Sequence, residues 1–153
     1  MQILCQIQRS DPFFQFCWLS ENLKNLPLDK VHIFVYPVTM KTISFYRTAS
    51  GKCPVKEHLD SLTDEQATKI AWVLKLIREI DLIPSKYFKK LVNTDDIWET
   101  RVDVGKNTFR LLGFFHGREL IILTNSFQKK SQKTPLKEIG LAEKRKKEYL
   151  SRG

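Results

Sequence analysis

Apolar positions recur with two different periods along the chain, and the switches between them mark its elements. TISFYRT, Thr42 to Thr48, is rich in β-branched and aromatic residues and stops at Ser50-Gly51, which predicts a strand. In CPVKEHLDSL, Val55, Leu59 and Leu62 recur at helical spacing behind Pro54, a residue suited to a first helical position. Cys53 stands where a polar N-cap is expected. Thr63 followed by Gln66 has the form of a capping box. The helix it opens carries Ile70, Leu74 and Ile77 on one stripe, with Val73, Leu76 and Ile80 beside it. That wide apolar face predicts packing against a sheet. Pro84 lies beyond its end, and YFKKL, Tyr87 to Leu91, reads as a connector with two exposed lysines.

Three strand-like segments follow in quick succession. IWETRVDV (Ile97 to Val104) turns at Gly105-Lys106, TFRLLGFFH (Thr108 to His116) turns at Gly117-Arg118, and ELIILTNSF (Glu119 to Phe127) completes a meander of hairpins. Thr134 as N-cap and Pro135 at the first helical position predict a last helix. It holds Ile139, Ala142 and Tyr149 on one side and the run KRKK, Lys144 to Lys147, around the other, read as a solvated face that attracts polyanions. The order β-α-α-β-β-β-α places the chain in the α+β class. The expectation is an antiparallel sheet with the helices packed on one face and the other face partly open.

Residues 1–39 are less clearly patterned. DPFFQFCWL, Asp11 to Leu19, is aromatic-rich without a clear period, and VHIFVYPV, Val31 to Val38, reads as a short strand that Pro37 ends or confines to an edge. This stretch carries three basic and three acidic residues, so the whole net charge of +9 belongs to residues 40–153. We expect residues 1–39 to be an N-terminal extension, upstream of a natural start at Met40, and residues 40–153 to be the functional domain. A small basic domain is a fair candidate for binding nucleic acid. Cys5, Cys17 and Cys53 form no CxxC pair, and His32, His58 and His116 lie far apart. That pattern predicts reduced thiols in a cytoplasmic protein and no metal centre. No apolar run reaches membrane-spanning length, and no charged segment precedes an apolar block as in a secretory leader.

The chemistry is expected on the open face. Alternation puts Glu99, Arg101 and Asp103 on one side of their strand and Trp98, Thr100 and Val102 on the other. With two-residue loops at both turns, Arg101 lies opposite Arg110 and Arg110 opposite Asn125. Phe127 and Lys129 then share that face, and Lys130 points away. Like charges directly opposed destabilise a sheet unless something neutralises them. Glu99 can do so in the free protein, and a phosphate in a complex. Paired guanidiniums suit phosphodiester cleavage because they hold phosphate bidentately and offset charge building up in the transition state. A neighbouring aromatic ring can stack a base. Each residue also has a plainer role open to it: Arg101 and Glu99 as a structural ion pair, Lys129 and Lys130 as a solvated strand end, Phe127 as core, His116 as a turn residue.

Trp98-Glu99-Thr100-Arg101, Phe109-Arg110, Phe127-Gln128-Lys129-Lys130 and Thr134-Pro135 occur in an order that resembles the HigB-like, phage-derived branch of the RelE/ParE toxin superfamily. The resemblance spans about residues 40–150, and several ordered matches are more specific than any one alone. It implies a RelE-like fold and the toxin of a type II toxin–antitoxin pair. Such a toxin is a ribosome-dependent endoribonuclease that cuts mRNA with the RNA's own 2′-OH as nucleophile, without metal or other cofactor. Its partner is a helix-turn-helix, HigA-like antitoxin. The implied catalytic residues are Arg101, Arg110 and Lys129; the implied RNA contacts are Lys130, Phe127, Asn125 and Lys133; Glu99 orients the arginines. Two other readings stand beside this one: a ParE-like inhibitor of DNA gyrase that cuts nothing, and a non-catalytic basic binding module. Fold alone does not separate them; the basic rim and clustered arginines favour RNA.

Overall fold

A Gly-Lys turn and a Gly-led loop organise the centre of the fold. Gly105, with φ +57°, occupies the first position of a two-residue turn, so Val104 pairs with Asn107 and the first hairpin closes with the expected register. The computed structural model describes residues 40–130 and 133–152. The readings of Asp11–Leu19, of Val31–Val38 and of residues 1–39 as an extension lie outside the described residues.

The described elements are β1 (Thr42–Phe45), α1 (Pro54–Asp60), α2 (Asp64–Glu79), β2 (Phe88–Lys90), β3 (Trp98–Val104), β4 (Asn107–His116), β5 (Leu120–Lys129) and α3 (Leu136–Leu150). The α+β class holds, as one five-stranded sheet in the order β1-β5-β4-β3-β2. The sheet is mixed rather than wholly antiparallel. β2 to β5 pair antiparallel, as successive short connections require, whereas β1 lies parallel to β5. β1 is distant in sequence and joins the free edge of the last strand. The connector at Tyr87–Leu91 also changes: Phe88–Lys90 pairs with β3 as an edge strand. Phe88 drives this, since its ring stacks on Trp98 at 4.9 Å and meets Phe115 edge-on at 5.9 Å.

The helices begin for legible reasons. Pro54 opens α1 after Cys53, which is buried and makes no side-chain cap bond. Thr63 and Gln66 form both halves of the capping box, at 3.3 and 3.4 Å. α2 buries Ile70, Val73, Leu74 and Ile77.

The helices do not all pack on one face, which corrects the expected arrangement. α1 lies on the side of β4 and β5 that carries Phe109 and Ser126, where its His58 meets both. α3 lies on the other side, with Ala142 in a core cluster with Leu112, Phe114 and Ile122, and Ile139 and Tyr149 packed against it. The run KRKK is accordingly split. Lys144 and Lys147 are exposed, but Arg145 Nη1 donates to the Thr124 carbonyl at 2.8 Å and Lys146 Nζ to the Asp95 carbonyl at 2.7 Å. Half of the expected polyanion face thus fastens the helix to the sheet.

Candidate nucleic-acid interface

β4 and β5 are joined through Gly117, Arg118 and Glu119, since His116 pairs with Leu120. That loop is one residue longer than the two-residue turn expected. A bulge at Thr124 then adds a second shift, so that Leu112 pairs with Asn125 while Gly113 pairs with Leu123. Two features hold the bulge. A Cβ on Gly113 would sit 2.5 Å from the Ile122 carbonyl oxygen, so only glycine allows the strands this close. The Thr124 hydroxyl donates towards the Leu112 carbonyl at 3.0 Å and Asn125 Oδ1 at 2.7 Å.

Two one-residue shifts restore the original parity. Arg110 pairs with Phe127 rather than with Asn125, and Lys129 pairs with Thr108. Asn125, Phe127 and Lys129 nevertheless share the face of Arg110, and Arg101 lies directly opposite Arg110. The face then reads as rows across the sheet. Lys89, Glu99, Leu112 and Asn125 form one row; Arg101, Arg110 and Phe127 the next; Asp103, Thr108 and Lys129 the third.

Glu99 is the centre of this arrangement and is fully buried. Its Oε2 accepts from Arg101 Nε at 2.6 Å, and its Oε1 lies 3.6 Å from Arg110 Nε and accepts from the Thr134 hydroxyl. One carboxylate therefore offsets two opposed guanidiniums, whose charges would otherwise repel in a poorly hydrated place. Arg110, itself nine-tenths buried, donates from Nη1 to the Phe109 carbonyl at 2.8 Å, with Asp103 Oδ1 3.6 Å from the same atom. Its Nε is buried without a hydrogen-bond partner among the described residues. Arg101 is half-buried, which leaves part of its guanidinium open to solvent.

Thr134 does not cap the last helix as expected. Pro135 takes the N-cap position without a side-chain bond, and the Thr134 hydroxyl turns to Glu99 instead. Asn125 also departs from its expected place as an RNA contact. It is only 3% exposed, and its Nδ2 donates to Glu138 Oε2 at 2.8 Å and to the Glu138 carbonyl at 3.2 Å. Its amide joins α3 to the sheet and offers no edge to a ligand. Phe127 is half-buried at the margin of the α3 core. Lys129 is half-buried, while Lys130, just past the strand, and Lys133 are exposed. His116 lies six residues from Arg110 along β4, about 20 Å away, with its ring against Tyr149.

Four residues on or beside this face have places that the sequence alone did not assign: Thr134 and Glu138 as ties to the sheet, Asp103 beside Arg110, and Lys89 in the Glu99 row. Asp103 was legible as a member of the face by alternation alone. Lys89 was not, because YFKKL is too short to declare a period. Among the described residues no group of three His, Cys, Asp or Glu side chains converges, and no helix is long and apolar enough to cross a membrane.

Opposed guanidiniums on a buried carboxylate, with an aromatic ring and lysines beside them, can grip a phosphodiester and stack a neighbouring base. A comparison with curated proteins finds no match. Residues 57–147, which run from α1 nearly to the end of α3, match the family described as Phage derived protein Gp49-like (DUF891), and the chain belongs to that family, within the RelE/ParE-like toxin superfamily.

Proposed function

We propose that this protein is the HigB-like toxin of a type II toxin–antitoxin pair and cuts mRNA on the ribosome, with a helix-turn-helix antitoxin as its partner. The observation that carries this reading is the Arg101–Arg110 pair, set directly opposite one another and held by buried Glu99 beside Phe127 and Lys129. The 2′-hydroxyl oxygen of the RNA gives its proton to solvent and attacks the adjacent phosphorus, the bond to the 5′-oxygen breaks, that oxygen takes up a proton from solvent, and a 2′,3′-cyclic phosphate and a 5′-hydroxyl result. Arg101 and Arg110 hold the non-bridging oxygens and offset the charge that grows on them. Lys129, on the same face, meets charge on the departing oxygen, and Phe127 stacks an adjoining base. Lys130 and Lys133 contact the RNA backbone. Glu99 acts through the arginines by fixing their angle.

Inducing the protein in cells and mapping the 5′ ends of cellular mRNA tests this. New ends within translated codons are expected with the wild-type chain. They should fall by about a hundredfold or more with Arg101→Ala and Arg110→Lys, the cost of losing a preorganised charge donor. Growth arrest with DNA damage and intact mRNA would instead indicate a gyrase inhibitor. Undiminished cutting by both variants would remove the arginines from the reaction.

A further inference from the structure

We infer that the open face carries a diagonal track for a phosphodiester backbone and that Lys89, on the edge strand, is its far end; this rests on the RNA reading above. The pairings place one cation of this face on each of four neighbouring strands. Lys129 on β5 pairs with Thr108, two residues from Arg110 on β4; Arg110 pairs with Arg101 on β3; Lys89 on β2 pairs with Glu99, two residues from Arg101. Lys129, Arg110, Arg101 and Lys89 therefore step across the sheet in one direction. With strands about 4.8 Å apart and residues about 3.4 Å apart along them, the Cα atoms at its ends are about 20 Å apart, room for a few nucleotides.

The opposite diagonal has a different character. It runs from Asp103 on β3 through Arg110 to Asn125 on β5, from an exposed carboxylate to a side chain sealed under α3. A polyanion laid that way meets repulsion at one end and the helix at the other. Charge and access thus select one of the two directions. Lys89 is exposed, and its ammonium forms no hydrogen bond or ion pair among the described residues. Its neighbour Lys90 differs in both respects that matter. Lys90 pairs with Trp98, which places it on the other face, and it forms an ion pair with Asp96. Two adjacent lysines of equal formal charge therefore separate a track from diffuse basicity.

The test is anisotropy of a fluorescently labelled single-stranded oligoribonucleotide with the full chain over a salt series. Lys89→Ala is expected to lower the slope of log K against log salt by about one and to weaken binding about two- to fivefold. Lys90→Ala should leave both near wild type. Equal effects of the two variants would overturn the track in favour of general electrostatic attraction. If Arg101→Ala and Lys129→Ala lower the slope while Lys89→Ala does not, the track is overturned and the RNA reading stands. If the wild type shows no salt-dependent binding, or no variant alters it, the RNA reading falls and the track with it.

Discussion

Arg110 and Leu112 are two residues apart on β4 and lie on the same face, yet their surroundings differ completely. Leu112 is sealed with Phe114 and Ile122 beneath α3. Arg110 stands beside the start of that helix, where its cover stops and the open rows begin. The boundary runs along Glu99 and Asn125, whose polar atoms bind Thr134 and Glu138 at the start of α3. A single face is thus half core and half open, and the division is made by where α3 begins. The phosphate-binding role proposed for the open half needs rigid support, since a guanidinium misplaced by an ångström loses much of its grip on phosphate. The covered half supplies that support.

The two phenylalanines of this face give the sharpest contrast. Phe114 is fully buried, with Tyr149 edge-on at 5.7 Å and the Lys146 ammonium 5.8 Å from its ring centre. Phe114→Ala should cost about 4 kcal/mol, in the range for a large buried ring, measured by denaturant unfolding. Phe127→Ala, at the margin, should cost about 1 kcal/mol and act mainly on RNA affinity. Equal losses of stability from both would erase the boundary drawn here.

Glu99→Ala comes next, because it removes the group that lets the two halves meet. Two guanidiniums would face one another without their carboxylate, and Thr134 would lose its partner. The expected cost is about 3 kcal/mol, as for other buried ion pairs stripped of one member. Sulfate should then stabilise the variant more than it stabilises the wild type, since a dianion can enter between the arginines. Equal stabilisation of both proteins by sulfate would mean that Glu99 does not hold the pair by charge.

The strands and their parity were legible in the sequence because period two needs only local information. Arg101 opposite Arg110 followed from one turn, at Gly105-Lys106, whose chemistry is local too. Arg110 opposite Asn125 did not hold, for reasons that are not local. The loop through Gly117 takes one residue more, and the bulge at Thr124 depends on the small size of Gly113 across the sheet, with its carbonyl met by Arg145, 21 residues away. The two shifts cancel in parity, so the membership of the face came out correctly while its register did not. Which side α3 covers was equally out of reach. Its stripe of Ile139, Ala142 and Tyr149 declares that it packs, but nothing in the stripe names the face. KRKK misled for the same reason: Arg145 and Lys146 find their acceptors only once the sheet and the loop at Asp95 are in place.

The smallest expected effect concerns the opposite face, where a titrating group is used for packing. His58 on α1 shares a 2.8 Å hydrogen bond with Ser126 Oγ, and its ring lies 6.4 Å from that of Phe109. Burial lowers its pKa below the usual value of 6.5 because the charged ring loses hydration. The folded state therefore binds a proton less readily than the unfolded chain does. Stability from this site is fully present above pH 6.5 and is lost as pH falls from there through the folded pKa. His58→Gln should flatten that part of the stability profile while leaving salt-dependent RNA binding unchanged, because Ser126 and Phe109 lie on the face away from the arginines. A variant whose RNA affinity fell together with its acid sensitivity would show that the two faces are coupled through β5, and the separation of packing from binding would have to be abandoned.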